Sequence, residues 1–254
     1  MLQAVIFDVD GTLADTERDG HQPAFNAAFR EAGLDWEWDT QLYGELLAVT
    51  GGKERTRHYI ERHRPAFLDR PDLDDFIGAL HKSKTRHYGT LLREGGIPPR
   101  PGVVRLVREL AASGKRLAIA TTTAPENVTT LLATTLRALP PGSFEVIGAG
   151  DIVAAKKPAP DIYQWVLERL RLPATACLAI EDSRNGLLSA RAAGLPVVVT
   201  QSAYTANEDF AGSAAVLSNL GEPDAPFTVR EGDGRGERCV TAGLLEEWHA
   251  AAGC

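Results

Sequence analysis

Short apolar runs that end on polar residues recur along this chain, with helix-forming stretches between them. Residues 2–7 (Leu-Gln-Ala-Val-Ile-Phe) run straight into Asp8. Residues 117–120 end at Thr121-Thr122-Thr123, and residues 177–180 end at Glu181-Asp182-Ser183. A further run covers 196–199 and a weaker one 144–147. Runs this short and this apolar read as strands buried on both faces. Between them, residues 102–113 place Val103, Val104, Leu106, Val107 and Leu110 on one helical face. Pro125 and Pro160 stand where first-turn prolines are tolerated, and Gly114 and Gly194 where helices end. Strands alternating with helices from about residue 96 onward predict an α/β fold with a doubly wound parallel sheet.

Residues 16–94 break that alternation. They hold helical stretches, including one long helix over 73–93, and no strand pattern. Pro98, Pro99 and Pro101, close to Gly95-Gly96, punctuate a return. The simplest organisation is an all-helical domain at 16–94 inserted into a discontinuous core of 1–15 and 95–254. Residues 221–238, rich in Gly, Pro and charge, read as an exposed loop before a terminal helix at 242–251.

The chain has 254 residues and a net charge of -7, which argues against a general nucleic-acid binder. Its charge is uneven: residues 51–100 hold 11 Lys and Arg against 7 Asp and Glu. A basic segment in an acidic protein can steer a small anion, although a solvated helical face has the same composition. Cys177, Cys239 and Cys254 form no metal-type or disulfide-type pattern. No leader and no membrane-length apolar run is visible, so a cytoplasmic monomer without nucleic-acid or membrane partners is expected.

Ligands of an open parallel sheet sit beyond the carboxyl ends of its strands. That edge collects Asp8 and Asp10 from the first strand, Thr121 from the next, Lys157 from a later loop, and Glu181 and Asp182 from another strand. Taken singly, Asp8-Val9-Asp10-Gly11-Thr12 could be a turn, Thr121 a strand end, Lys157 a surface lysine and Glu181-Asp182-Ser183 a helix cap. Together they make chemical sense. Clustered carboxylates repel unless a divalent cation joins them, and hard oxygen ligands suit Mg2+. Mg2+ and Lys157 would neutralise a phosphoryl group, and Thr121 would donate to it. Asp8 is placed to act as a covalent nucleophile and Asp10 as acid and base. Gly11 and Thr12 let the chain turn away and free N–H groups for phosphate.

These residues resemble the haloacid-dehalogenase-like phosphohydrolase superfamily over nearly the whole chain. Asp8-Val9-Asp10-Gly11-Thr12-Leu13, Thr121, Lys157 before proline, and Glu181-Asp182 resemble its four signature regions, in order. The resemblance implies a Rossmann-like core with a helical cap, catalysis by Asp8, Asp10, Thr121 and Lys157, and Mg2+ held by Asp8, the Asp10 carbonyl, Glu181 and Asp182. Within the superfamily the chain is similar to CbbY-type proteins. The stretches concerned are Ala14-Asp15-Thr16-Glu17, Thr50-Gly51-Gly52-Lys53-Glu54-Arg55, Arg100-Pro101-Gly102, Ala120-Thr121-Thr122-Thr123, Lys156-Lys157-Pro158-Ala159-Pro160-Asp161-Ile162-Tyr163 and Ile180-Glu181-Asp182-Ser183-Arg184-Asn185-Gly186.

That likeness implies removal of the 1-phosphate from xylulose 1,5-bisphosphate, an inhibitor of Rubisco, to leave xylulose 5-phosphate. A bisphosphate needs a second phosphate site, for which Lys53, Arg55 and Lys84 are the candidates. Glu17 and His21 are the candidates for sugar contacts, with Gly11, Thr16, Thr122 and Asn185 as further substrate contacts. Arg57, Arg62 and Arg64 read as solvated helix charges. The Glu17 to His21 segment is one residue longer than the commonest form of the family. A mutase of the β-phosphoglucomutase type, or a phosphatase for another sugar phosphate or phosphoglycolate, shares the same core residues.

Overall fold

The computed structural model describes residues 1–95 and 97–252; Gly96 of the expected return and Cys254 lie outside the described residues. Among the described residues seven strands form one sheet: β1 (Ala4–Phe7), β2 (Arg116–Ala120), β3 (Val146–Gly148), β4 (Cys177–Glu181), β5 (Val197–Thr200), β6 (Ala215–Leu217) and β7 (Val229–Gly232). Their order is β3-β2-β1-β4-β5-β6-β7, parallel except for β7. The chain runs outward from β1 through β2 to β3, then crosses to β4 on the other side of β1. This reversal opens a crevice at the carboxyl ends of β1, β2 and β4, where a doubly wound sheet binds its ligand.

The helices are α1 (Gln22–Glu31), α2 (Thr40–Leu46), α3 (Gly52–His63), α4 (Leu73–Arg93), α5 (Val103–Ala112), α6 (Pro125–Ala133), α7 (Asp161–Leu170), α8 (Arg184–Ala192) and α9 (Ala242–Ala252). Side chains alternate across the strands and feed two cores. Val5, Phe7, Leu117, Ile119, Leu178 and Ile180 pack with α5, α6 and α9 on one face. Ala4, Ile6, Ala118, Ala120, Cys177 and Ala179 pack with α7 and α8 on the other. Burial on both faces explains why β1 and β4 read as unbroken apolar runs. The entry to α5 requires its glycine: Gly102 has φ +85°, and a Cβ there would lie 2.5 Å from the Gly221 carbonyl oxygen.

Helices α1 to α4 all lie between β1 and α5, with no strand among the described residues of that stretch. They enclose a third, aromatic core of Phe25, Phe29, Trp36, Trp38, Tyr43, Tyr59, Ile60, Ile77 and Leu80. The long helix expected over 73–93 is α4. Trp38 is fully buried, and the Asn26 side chain holds its backbone by two hydrogen bonds of 2.8 Å. Gln22 adds a third at 3.0 Å to the Trp38 carbonyl.

Three expectations need correction. Residues 221–238 are not all loop, because β7 pairs antiparallel with β6. All four β7 residues are exposed, so no apolar alternation announces the strand. The weak run at 144–147 becomes β3 two residues later. Pro160 stands just before α7 rather than inside its first turn. Among the described residues no helix is long and apolar enough to cross a membrane.

The aromatic core generates a test. Trp38→Ala should cost roughly 3–5 kcal/mol in urea unfolding, the usual loss for a large buried side chain. A loss below about 1 kcal/mol would mean that Trp38 is not the keystone of the helical insertion.

Candidate active site

Asp8 leaves the end of β1 with its N–H bonded to the Ile180 carbonyl of β4 at 3.0 Å. One residue beyond β2, the Thr121 N–H bonds the Gly148 carbonyl of β3 at 3.0 Å, and the Thr121 hydroxyl accepts from the Thr123 N–H at 3.3 Å. Lys157, from the loop after β3, sends a buried ammonium into the crevice. It donates to Asp8 Oδ1 at 2.6 Å, Glu181 Oε1 at 2.6 Å and the Ala120 carbonyl at 2.9 Å. An ammonium has three protons, and here each has an acceptor. The Asp8 and Glu181 carboxylates hold the Lys157 amine up despite burial.

Glu181 and Asp182 sit at the junction of β4 and α8. Ser183 caps α8 by accepting from the Gly186 N–H at 3.2 Å, as its place in the sequence allowed. Gly186 leaves room for the acid beside it: a Cβ there would lie 2.0 Å from Glu181 Oε2. Gly11, at φ +81°, does the same for Asp182, whose Oδ2 would be 2.1 Å from an added Cβ. Gly11 therefore shapes the turn and admits Asp182, and it lines neither large cavity described below.

Asp8, Glu181 and Asp182 each bring one carboxylate oxygen within 4.8 Å of the others, and all are buried. Burial and mutual repulsion push the Asp8 and Asp182 carboxyls well above the usual range, while Lys157 pulls Asp8 the other way. Glu181 Oε2 is buried without a hydrogen-bond partner among the described residues. An orphaned carboxylate oxygen beside two strained acids fits a cation site with hard oxygen donors.

Asp10 lies under the helical insertion. It accepts from Thr16 Oγ1 at 2.5 Å and contacts His21 Nε2 at 3.0 Å. Lys84 Nζ lies 2.8 Å from His21 Nδ1. Burial lowers the Lys84 amine to about 8, so it is charged at neutral pH and can only donate. Nδ1 of His21 must then accept, and its Nε2–H donates to Asp10. Burial pushes Asp10 up, but the hydrogen bonds from His21 and Thr16 and the nearby Lys84 charge outweigh it and hold the carboxyl below the usual range. Thr16 thus serves Asp10 and lines neither large cavity, contrary to its expected substrate contact.

Two adjoining cavities meet at Asp10, Glu17, Arg55 and Thr122. The smaller, about 90 Å³, lies over Asp8, Thr121, Lys157 and Asp182. The larger, about 490 Å³, extends past His21 and Lys84 to Lys53 and Asp151. Buried Arg55 donates to the Tyr43 hydroxyl at 2.9 Å, and Tyr43 donates to Glu17, so Glu17 is held at the shared wall. Asn185 lines the smaller cavity but spends its amide on the insertion, at Thr50 Oγ1 (3.0 Å) and the Ala48 carbonyl (3.3 Å).

Sequence reasoning passed over Tyr163, Arg100 and Tyr43. Tyr163 donates to Glu181 Oε1 from α7. Arg100, buried, donates to the carbonyls of Thr200 (3.0 Å), Gln201 (2.6 Å) and Ser218 (2.8 Å), and to that of Gly11. Tyr163 and Arg100 stand inside stretches already singled out, but an uncharged phenol and an arginine beside proline carry no chemistry until their partners are known. Arg57 pairs with Asp74 at the surface, as a solvated charge should.

Comparison with known proteins accords with this geometry. The family model for haloacid dehalogenase-like hydrolases matches residues 2–194. Protein CbbY of Cupriavidus necator (plasmid-borne) is 50% identical over 248 residues, covering 98% of this chain and 97% of that protein. The crystal structure of CbbY from Rhodobacter sphaeroides with phosphate has a TM-score of 0.80 at 43% identity, covering 86% of this chain and 95% of that one. A mutant of the same protein, solved in complex with xylulose 1,5-bisphosphate, has a TM-score of 0.79 at the same identity and coverage. The chain is therefore a haloacid dehalogenase-like hydrolase and belongs with the CbbY proteins of that family.

Proposed function

We propose that the protein is a cytoplasmic, Mg2+-dependent phosphatase of small sugar phosphates, with xylulose 1,5-bisphosphate as substrate and xylulose 5-phosphate as product. The observation that carries this reading is the pair of adjoining cavities. The small one surrounds Asp8 and Lys157, and the large one runs from Asp10 to a lysine at its far end. A phosphoryl group fits the first, and a sugar with a second phosphate fits the second. The relative solved with xylulose 1,5-bisphosphate supports the choice of sugar.

The Asp8 carboxylate attacks phosphorus, and the phosphoryl group passes to Asp8 as the bond to the sugar oxygen breaks. That oxygen takes its proton from Asp10, whose low resting carboxyl must first gain one; the charged Lys84 amine supplies it through His21, and the water proton that Asp10 takes in the second half restores the relay. Asp10 then takes a proton from water, the water oxygen attacks the aspartyl-phosphate, and inorganic phosphate leaves with Asp8 restored. Lys157, its protons on Asp8, Glu181 and the Ala120 carbonyl, sets its positive charge against the non-bridging oxygens, and the Thr121 hydroxyl donates to them. Asp8, Asp182, Glu181 and the Asp10 carbonyl would hold Mg2+, which when bound would supply positive charge against the phosphoryl oxygens. Residues 16–94 act as the cap and 1–15 with 95–254 as the core, and closure of the cap excludes water. One chain supplies every group named, and in this reading the protein is a monomer.

Asp8→Asn should lower kcat by roughly 10⁴-fold or more while the protein stays folded. The assay should compare xylulose 1,5-bisphosphate with other sugar phosphates and phosphoglycolate, scoring free phosphate and any isomerised sugar phosphate. Wild-type turnover by Asp8→Asn removes the nucleophile assignment, and an isomerised product makes the enzyme a mutase.

Metal binding has a readout apart from activity. The folded-state pKa values of Asp8 and Asp182 are raised. Their contribution to stability is therefore full below the unfolded carboxylate range and is lost as pH rises through the folded values. Saturating Mg2+ should raise Tm by roughly 5–10 °C at pH 7, with a smaller gain near pH 4. An equal gain in Asp182→Asn would remove Asp182 from the ligand set.

Lys84 gives a pH test. Its amine loses its proton as pH rises through about 8. The wild-type kcat/KM should fall there, and the alkaline limb should vanish in Lys84→Met, along with about 10–100-fold in kcat. A limb that survives in Lys84→Met belongs to another group.

A further inference from the structure

The far end of the large cavity is closed by charges from both halves of the molecule. Lys53 and Glu54 come from the first turn of α3, and Asp151 and Lys156 come from the loop after β3. Lys53 Nζ donates to Asp151 Oδ2 at 2.6 Å. Lys156 Nζ lies 3.0 Å from Asp151 Oδ1 and 2.8 Å from Glu54 Oε1. One carboxylate thus bridges two ammonium groups, an oxygen to each, across the boundary between cap and core. A phosphate would be held by the same two cations in the same way.

The surroundings are built to bring these groups together. Gly51, at φ +97°, opens α3 where an added Cβ would lie 2.2 Å from Glu54 Oε2 and 2.8 Å from Lys156 Nζ. Gly52 approaches the ring of His81, whose Cδ2 would be 2.8 Å from an added Cβ. Thr50-Gly51-Gly52-Lys53-Glu54-Arg55 is therefore a turn that lets charged groups reach the backbone. His81 lines the same cavity. Burial lowers it to about 4, and Lys84, Lys53 and Lys156 push it the same way, so it stays neutral in a local excess of positive charge. Asp151 is more than half exposed, and solvated ion pairs of this kind are weak. A phosphate dianion, with more charge and more acceptor oxygens, can take its place.

We propose that Asp151 is a placeholder for the substrate's second phosphate, which displaces it from Lys53 and Lys156, and that Lys156 is the core's own ligand for that phosphate. This inference rests on the bisphosphatase reading above and adds two specificity-determining residues to it. Asp151 and Glu54 offset the charges of Lys53 and Lys156, so an anion must compete for the lysines. A remote phosphate competes well, and a neutral sugar end does not compete at all. Binding that must displace a competitor loses apparent affinity in proportion to its occupancy.

The test measures KM and kcat for xylulose 1,5-bisphosphate and for xylulose 1-phosphate, which lacks the remote phosphate, in wild type, Lys53→Ala, Lys156→Ala and Asp151→Asn. Lys156→Ala should raise the bisphosphate KM about tenfold more than the monophosphate KM, the worth of one lost charged contact. Asp151→Asn should act in the opposite direction, lowering the bisphosphate KM severalfold relative to the monophosphate KM. A merely structural carboxylate would give no such lowering. If Asp151→Asn raises both KM values alike, or if Lys156→Ala does, the placeholder proposal is overturned while a bisphosphate-selective loss in Lys53→Ala still supports the second phosphate site. If wild type shows no preference for the bisphosphate, the functional reading itself falls, and the proposal with it.

Discussion

The Lys157 ammonium between Asp8 and Glu181 is the interaction on which the rest of this structure depends. Three carboxylates converge at the carboxyl ends of β1 and β4, out of water and close enough to repel one another. Uncompensated burial of that much charge is costly, and one lysine with all three protons donated offsets part of it. What remains is a cluster short of positive charge, with an orphaned oxygen on Glu181. The deficit that makes the site difficult to bury is what equips it to hold a cation and to meet a phosphoryl group.

Arg100 solves the mechanical half of the same problem. The chain leaves the core after Ala14 and returns just before Arg100, whose N–H bonds the Leu13 carbonyl at 3.0 Å. Its guanidinium gathers carbonyls from the turn after β1 and from the chain beyond β5 and β6, and lies 3.4 Å from Asp15. The planar fork of an arginine can satisfy several acceptors at fixed angles, which a lysine could not do. The two crossings into the helical insertion are thereby tied to the loops that carry the acids.

Much of the core site was legible because its residues lie one or two positions beyond apolar runs. Asp8, Asp10, Thr121, Glu181 and Asp182 needed only the rule that a parallel sheet binds at its carboxyl edge. Lys157 was reached as a charge on a loop beyond the same edge, and its place before proline added a family resemblance. The roles of Thr16, His21 and Lys84 were not legible as they stand. These three assemble around Asp10 from the residues just before α1 and from α4, and the contacting pair His21 and Lys84 lies 63 residues apart in the chain. Arg57 was read correctly as a solvated charge, whereas Arg55, two residues earlier, turns inward to Tyr43 and Glu17. Strand β7 escaped because an exposed edge strand has no apolar face to betray it.

The sequence by itself determined the fold class, the inserted helical stretch and the identity of the acids at the strand ends. Local patterns suffice there, since periodicity and strand termini are properties of neighbouring residues. Only the tertiary structure decided which charges meet. It turned Lys84 and His21 toward Asp10, gave Tyr163 to Glu181, and placed Asp151 between Lys53 and Lys156. Those partnerships join segments far apart in the chain. Their energy depends on burial and distance, which no residue carries with it until the chain has folded.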